Sequence, residues 1–139
     1  MGNLLEKNKL SSSGNENSKK RILIVEDNPA ELRMLHRSLS LEENFSVKST
    51  NSGYQAGFLT QSFKPDLIIL DIFLEDVDGR EVAKTIQADN KFKRTKIAAI
   101  TGTTDPKEIE TLESCCFDEI IYKPIAPHLL RQKVKKMLE

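Results

Sequence analysis

Cysteine is scarce: the 139 residues contain two, and Cys115 and Cys116 stand side by side. Adjacent cysteines do not meet the usual disulfide geometry, and two are too few for the common zinc sites. They are expected to be small apolar residues at a partly buried helix end or loop. Net charge is missing as well, because 21 Lys and Arg stand against 21 Asp and Glu. The bulk balance therefore argues for neither nucleic acid nor an anionic membrane as partner. No apolar run has the length of a membrane span, and no signal-peptide pattern opens the chain. Glu6 stands where a myristoylation signal has Ser or Thr. No Gly-rich phosphate loop follows the first apolar run, which removes a nucleotide-binding reading. The expectation is a soluble cytoplasmic protein, one domain long, with enough chain to bury a core. Histidine is sparse too. His36, mid-helix, and His128, at a helix start, cluster with no carboxylate and are read as structural or surface residues.

What the chain does have is a set of short buried runs, each ending in a polar residue. Leu67-Ile68-Ile69-Leu70-Asp71 is the clearest. Four apolar residues after Pro65-Asp66 read as a strand buried on both faces. Asp71 then sits at the carboxyl end, where open α/β sheets place their chemistry. Taken alone, it could equally be a helix cap or a loop carboxylate. Arg21-Ile22-Leu23-Ile24-Val25 is a second such run and ends in Glu26-Asp27-Asn28-Pro29. Asn28 before Pro29 predicts a helix start, and Leu32, Leu35 and Leu39 recur at helical spacing to about Ser40. Phe45 and Val47 alternate with polar neighbours as in an edge strand. Ser52-Gly53 opens a helix with Ala56, Leu59 and Phe63, and a later one carries Val82, Ala83 and Ile86. Ile97 to Ile100 is a strand ended by Thr101-Gly102. Asp105-Pro106 with Glu108 predicts a capping box and a helix whose Ile109 and Leu112 face inward. Ile120-Ile121-Tyr122 is the last strand, ending at Lys123-Pro124. Pro127 opens the last helix, with Leu130, Val134 and Met137 on one face and Arg131, Lys133, Lys135 and Lys136 on a solvated basic one.

Five strand–helix alternations make a doubly wound, flavodoxin-like (βα)5 fold with a parallel sheet. The polar second strand belongs at an edge, which gives the order 2-1-3-4-5 with a switch point between strands one and three. Glu26, Asp27 and Asp71 then meet in the crevice. Three close carboxylates repel, and a hard divalent cation such as Mg²⁺ is the usual remedy. Lys123 can add an ammonium and Thr101 a hydroxyl.

The sequence resembles the receiver domain of two-component response regulators. The resemblance rests on Ile24-Val25-Glu26-Asp27-Asn28, Leu70-Asp71-Ile72 with Asp78-Gly79, Ala99-Ile100-Thr101-Gly102 and Tyr122-Lys123-Pro124. Each piece is weak alone; together, in order, on five βα units, they are specific. Residues 1–20, rich in Asn, Ser, Lys and Glu and without periodicity, are expected to be a flexible N-terminal tail, and the resemblance makes residues 21–139 a receiver domain. It implies that Asp71 accepts a phosphoryl group from a phosphohistidine, becoming 4-aspartylphosphate. It implies Mg²⁺ held by Asp27, by Glu26 largely through water, by Asp71 and by the backbone carbonyl of Phe73. Thr101 and Lys123 would receive the phosphoryl oxygens. The implied partners are a sensor histidine kinase or histidine phosphotransfer protein and a downstream protein target, with no nucleic acid and no membrane. With no output domain after the last helix, the expected action is docking or phosphorelay, not conventional enzymology. The face of the last two helices and the fifth strand, with Lys107 and Arg131 exposed, is the expected partner surface.

The sequence departs from the family pattern at several points. Glu75 stands where Pro is frequent, and Asp76 follows, so this loop is expected to be more negative and more mobile. Ile120 occupies the usual switch-aromatic position, while Tyr122 lies next to Lys123 on the opposite strand face. Cys116 stands where Gly is frequent. A haloacid-dehalogenase-type phosphatase would need a second Asp where Phe73 stands. A degenerate receiver, acting as a constitutive phosphate-independent module, is favoured by Ile120 and opposed by the intact acidic set, Thr101 and Lys123.

Overall fold

In the computed structural model, which describes residues 18–115 and 117–139, five parallel strands run in the order β2-β1-β3-β4-β5. The strands are β1 (Lys20–Val25), β2 (Phe45–Thr50), β3 (Leu67–Asp71), β4 (Lys96–Thr101) and β5 (Glu119–Tyr122). The helices are α1 (Pro29–Ser40), α2 (Gly53–Phe63), α3 (Gly79–Gln87), α4 (Pro106–Glu113) and α5 (Pro127–Met137). A short 3-10 turn, Asn90–Phe92, links α3 to β4. The architecture and strand order are those expected from the alternation of apolar runs. β1 begins one residue before the expected boundary, at Lys20, and residues 1–17 of the expected tail lie outside the described residues.

Strand alternation divides the core into two layers. Ile22, Ile24, Leu67 and Ile69 face α1 and α5, where Leu35, Leu39, Leu130 and Val134 meet them. Leu23, Val25, Ile68 and Leu70 face α2 and α3, where Ala56, Val82, Ala83 and Ile86 meet them. Every residue of β3 is buried, so it is the central strand in packing as well as in position. Each fully buried Leu or Ile here stabilises the fold by about 1.5–3 kcal/mol. β2 is half-buried, as befits an edge.

Local signals place the helices. The Asn28 side chain accepts the Glu31 N–H at 3.0 Å and Pro29 opens α1. Ser52 accepts the Gln55 N–H at 3.2 Å at the start of α2. The capping box at α4 does not form. Asp105 does cap the helix, through the Lys107 N–H at 2.9 Å, but Glu108 turns to the Thr103 hydroxyl at 3.2 Å. The Asp105 N–H goes to Thr103 Oγ1 instead, so the reciprocal arm has no donor to bind. In α4 only Leu112 is fully buried and Ile109 is half-buried. Cys115 is half-buried just beyond this helix, and Cys116 lies outside the described residues. Among the described residues no helix is long and apolar enough to cross a membrane.

Candidate functional site

The crevice lies at the carboxyl ends of β1 and β3, beyond the point where the strand order reverses. Glu26 and Asp27 follow β1 directly, and Asp71 ends β3. One carboxylate oxygen from each of these three residues lies within 4.8 Å of the others. Glu26 is fully buried, Asp71 is 5% exposed and Asp27 is half-buried. Lys123 enters from the end of β5, beside Thr101, whose carbonyl accepts the Lys123 N–H at 2.7 Å. Its ammonium lies 2.6 Å from Glu26 Oε1, 2.8 Å from Glu31 Oε2 and 3.7 Å from Asp71 Oδ2. Thr101 is fully buried at the end of β4, and its hydroxyl oxygen accepts the Thr103 N–H at 3.1 Å.

The β3–α3 loop closes the site. The Phe73 N–H donates to Asp71 Oδ1 at 3.1 Å, and the Glu75 N–H to Asp27 Oδ2 at 2.9 Å. Asp76 then reaches α2: its carboxylate accepts the Ser52 hydroxyl at 2.8 Å, the Gly53 N–H at 3.1 Å and the Tyr54 N–H at 3.2 Å. The loop is as acidic as expected and makes hydrogen bonds on both sides. Its two acidic residues are tied down, Glu75 by its backbone and Asp76 by its side chain. Gly53 and Gly79 allow this closure. A Cβ on Gly53 would stand 2.2 Å from Val77 Cγ1, and one on Gly79 2.5 Å from the Asp71 carbonyl oxygen. Lys64, not a glycine, takes the left-handed turn that ends α2.

Electrostatics mark the site as short of positive charge. Burial first, then Asp71 and Glu31, push the Glu26 carboxyl up to about 9 against the pull of Lys123. Burial works against the Lys123 ammonium, yet Glu26, Glu31 and Asp71 outweigh it and raise its pKa. Glu31 is lowered by its hydrogen bonds to Glu26 and Lys123. One ammonium thus serves the carboxylates of Glu26, Glu31 and Asp71, with Asp27 alongside. All the donors are hard oxygens, with no imidazole or thiolate among them, which suits Mg²⁺ better than zinc.

The expected residues Glu26, Asp27, Asp71 and Lys123 come together, with Thr101 beside Lys123 and Phe73 bonded to Asp71. Glu31 and Asp76 were missed. Their only sequence signals were an acid in the first turn after Asn28-Pro29 and an acid in the loop after Asp71. Ile120 packs with Ile72, Ala99, Leu112 and Phe117, filling the space under α4 with aliphatic volume, while Tyr122 is 42% exposed. Arg131 is not an exposed probe of the last two helices. It faces α1, with a guanidinium nitrogen 3.3 Å from Ser38 Oγ and another 3.8 Å from Glu42. Lys107 is exposed as expected. His36 is half-buried, its Nδ1 3.0 Å from Ser49 Oγ, and His128 is exposed.

Comparison with known proteins agrees with this arrangement. Residues 22–135 match the family model of the response regulator receiver domain. The polar-differentiation response regulator DivK of Brucella ovis is 30% identical over 119 residues, covering 86% of this chain and 96% of DivK. A two-component response regulator from Clostridium difficile superposes with a TM-score of 0.77 at 27% identity, over 86% of this chain and 96% of that one. The chemotaxis response regulator CheY4 of Vibrio cholerae shares the fold, with a TM-score of 0.77 at 22% identity, over 86% of this chain and 98% of that one.

Proposed function

This chain belongs to the response regulator receiver family, and from that premise we propose that it is a phosphoacceptor switch with Asp71 as the acceptor. Receiver domains are signalling modules of two-component systems and not conventional enzymes. They bind Mg²⁺ at an acidic pocket and exchange phosphoryl groups with histidine kinases or phosphotransfer proteins. The observation that carries the reading is the gathering of the Glu26, Asp27 and Asp71 carboxylates within 4.8 Å, with the Lys123 ammonium 3.7 Å from Asp71.

Asp71 Oδ1 is held by the Phe73 N–H, which leaves Oδ2, on the Lys123 side, as the attacking oxygen. Oδ2 attacks the phosphorus of a donor phosphohistidine. An O–P bond forms, the P–N bond breaks, and the imidazole leaves with its electron pair and is protonated. Lys123 stands where it can bind a phosphoryl oxygen, and the Thr101 hydroxyl can exchange its Thr103 contact for another. Glu26, Asp27, Asp71 and the Phe73 carbonyl would hold Mg²⁺, whose charge offsets the repulsion between acceptor and phosphoryl group. Alignment and charge neutralisation are the main demands of such a transfer. The acyl phosphate then adds charge and acceptor oxygens that the surrounding loops must meet, which is how a local event becomes a docking signal to a kinase, phosphotransfer protein or downstream target.

The test is incubation with acetyl phosphate and Mg²⁺, followed by intact mass, beside Asp71→Ala. A phosphoryl adduct that needs both Asp71 and Mg²⁺ is expected. An unmodified wild type with its fold intact would replace this reading with that of a phosphate-independent binding module.

A further inference from the structure

Resting on that reading of Asp71, we propose that Glu31 is a latch for Lys123: a positioning residue that holds the ammonium off the acceptor and competes with the phosphoryl group for it. An ammonium has three N–H donors. In Lys123, Glu26 Oε1 at 2.6 Å and Glu31 Oε2 at 2.8 Å take two of them, while Asp71 Oδ2 at 3.7 Å lies beyond hydrogen-bond range. The two partners are not equivalent. Glu26 is fully buried at the end of β1 and cannot turn to water. The Glu31 side chain is 41% exposed and belongs to a different element, the first turn of α1. Its carboxylate can exchange Lys123 for water at low cost, so Glu31 is the partner that gives way.

The backbone of Glu31 is well placed for this. Its N–H is bound by the Asn28 cap at 3.0 Å, which fixes the first turn, and its side chain reaches the Lys123 ammonium. A phosphoryl group on Asp71 brings acceptor oxygens and negative charge next to the Lys123 ammonium, which is drawn toward them and away from the exposed Glu31 carboxylate. The negative charge of Glu31 also opposes the new charge. Both effects act in one direction and bias the domain toward its unphosphorylated state.

Beryllofluoride with Mg²⁺, a phosphoryl mimic, tests this in the full chain. Glu31→Gln keeps the shape and removes the charge, and the variant is expected to bind beryllofluoride about two- to fivefold more tightly than wild type by NMR titration, the scale of a half-exposed ion pair. Glu31→Ala, which also removes the residual acceptor, should shift affinity the same way. In the resting protein either change should speed proton exchange at the Lys123 ammonium, seen in its 15N signal, without moving amide signals remote from the site. Equal or weaker beryllofluoride binding by Glu31→Gln, or an unaltered Lys123 signal, would overturn the latch while leaving the phosphoacceptor reading in place. Failure of wild type and both variants to take up beryllofluoride at all would instead overturn the reading and the latch with it.

Discussion

Glu26 has no exposure and no room to rearrange, so its proton is the clearest pH probe of the site. Its folded pKa is raised from 4.5 to about 9, by burial first. The metal-free fold therefore binds more protons than the unfolded chain between these values. The corresponding stability is fully present below about 4.5 and is lost as pH rises through about 9. Melting of the metal-free protein should show a fall in Tm across this window, and Glu26→Gln should flatten it. Mg²⁺ at the proposed site would reverse the preference because it needs the ionised carboxylate, so its binding should release protons and strengthen with pH. Calorimetry in buffers of different ionisation enthalpy would detect that proton. A metal affinity unchanged between pH 6 and 8 would mean that Glu26 is already ionised in the resting fold.

At the scale of elements, the β3–α3 loop behaves as a strap between the site and α2. One end is held by the Glu75 N–H on Asp27 and the other by Asp76 on the α2 N-terminus. Asp76 is exposed, so its worth comes from the caps it makes and not from burial. Asp76→Ala should cost about 1 kcal/mol at neutral pH, the usual worth of a lost helix cap. What little burial Asp76 has works to raise its pKa, and the Ser52 hydroxyl with the Gly53 and Tyr54 amides outweighs it and lowers the carboxyl below 3.8. Its contribution is then present above 3.8 and lost as pH falls through the lower folded value. Urea unfolding of wild type and Asp76→Ala should accordingly differ at pH 7, and the difference should shrink as pH falls below 3.8. The two glycines that seat the strap should fail differently. Gly79→Ala sets a Cβ against backbone, 2.5 Å from the Asp71 carbonyl, and should cost about 2–3 kcal/mol or more, with no neighbouring side chain to trim in compensation. Gly53→Ala meets the Val77 side chain at 2.2 Å, so Val77→Ala should restore much of what it loses.

Over the whole molecule, what could be read in advance was whatever is written locally. β3 was legible because four apolar residues and a carboxylate are contiguous, and the switch point followed from the polarity of Phe45–Thr50. Lys123 and Thr101 were legible because each ends an apolar run. Glu31, Asp76 and the turn of Arg131 toward α1 were not, since each is defined by a contact across the fold, with Lys123, with α2 and with Ser38. The failed capping box at α4 has the same origin, because Thr103 is bonded to Thr101 and draws Glu108 and Asp105 to itself. That chain of bonds also lies at the start of a thinly packed helix. α4 contributes one fully buried residue, Leu112, to a small cluster with Ile72 and Ala99, whereas β3 is buried throughout. Little apolar area then opposes local opening of α4, while β3 opens only with the whole fold. Native-state hydrogen exchange should find the amides of residues 109–113 exchanging about 30-fold or more faster than those of β3. If Thr101 turns to a phosphoryl group as proposed, the Thr103 N–H loses its acceptor, and the start of α4 would be the first element to feel it. Beryllofluoride with Mg²⁺ should thus change exchange at residues 103–107 and leave β1 and β2 untouched. Equal protection of α4 and β3 in the resting state would show that this helix is held by more than Leu112 and is no part of the switch.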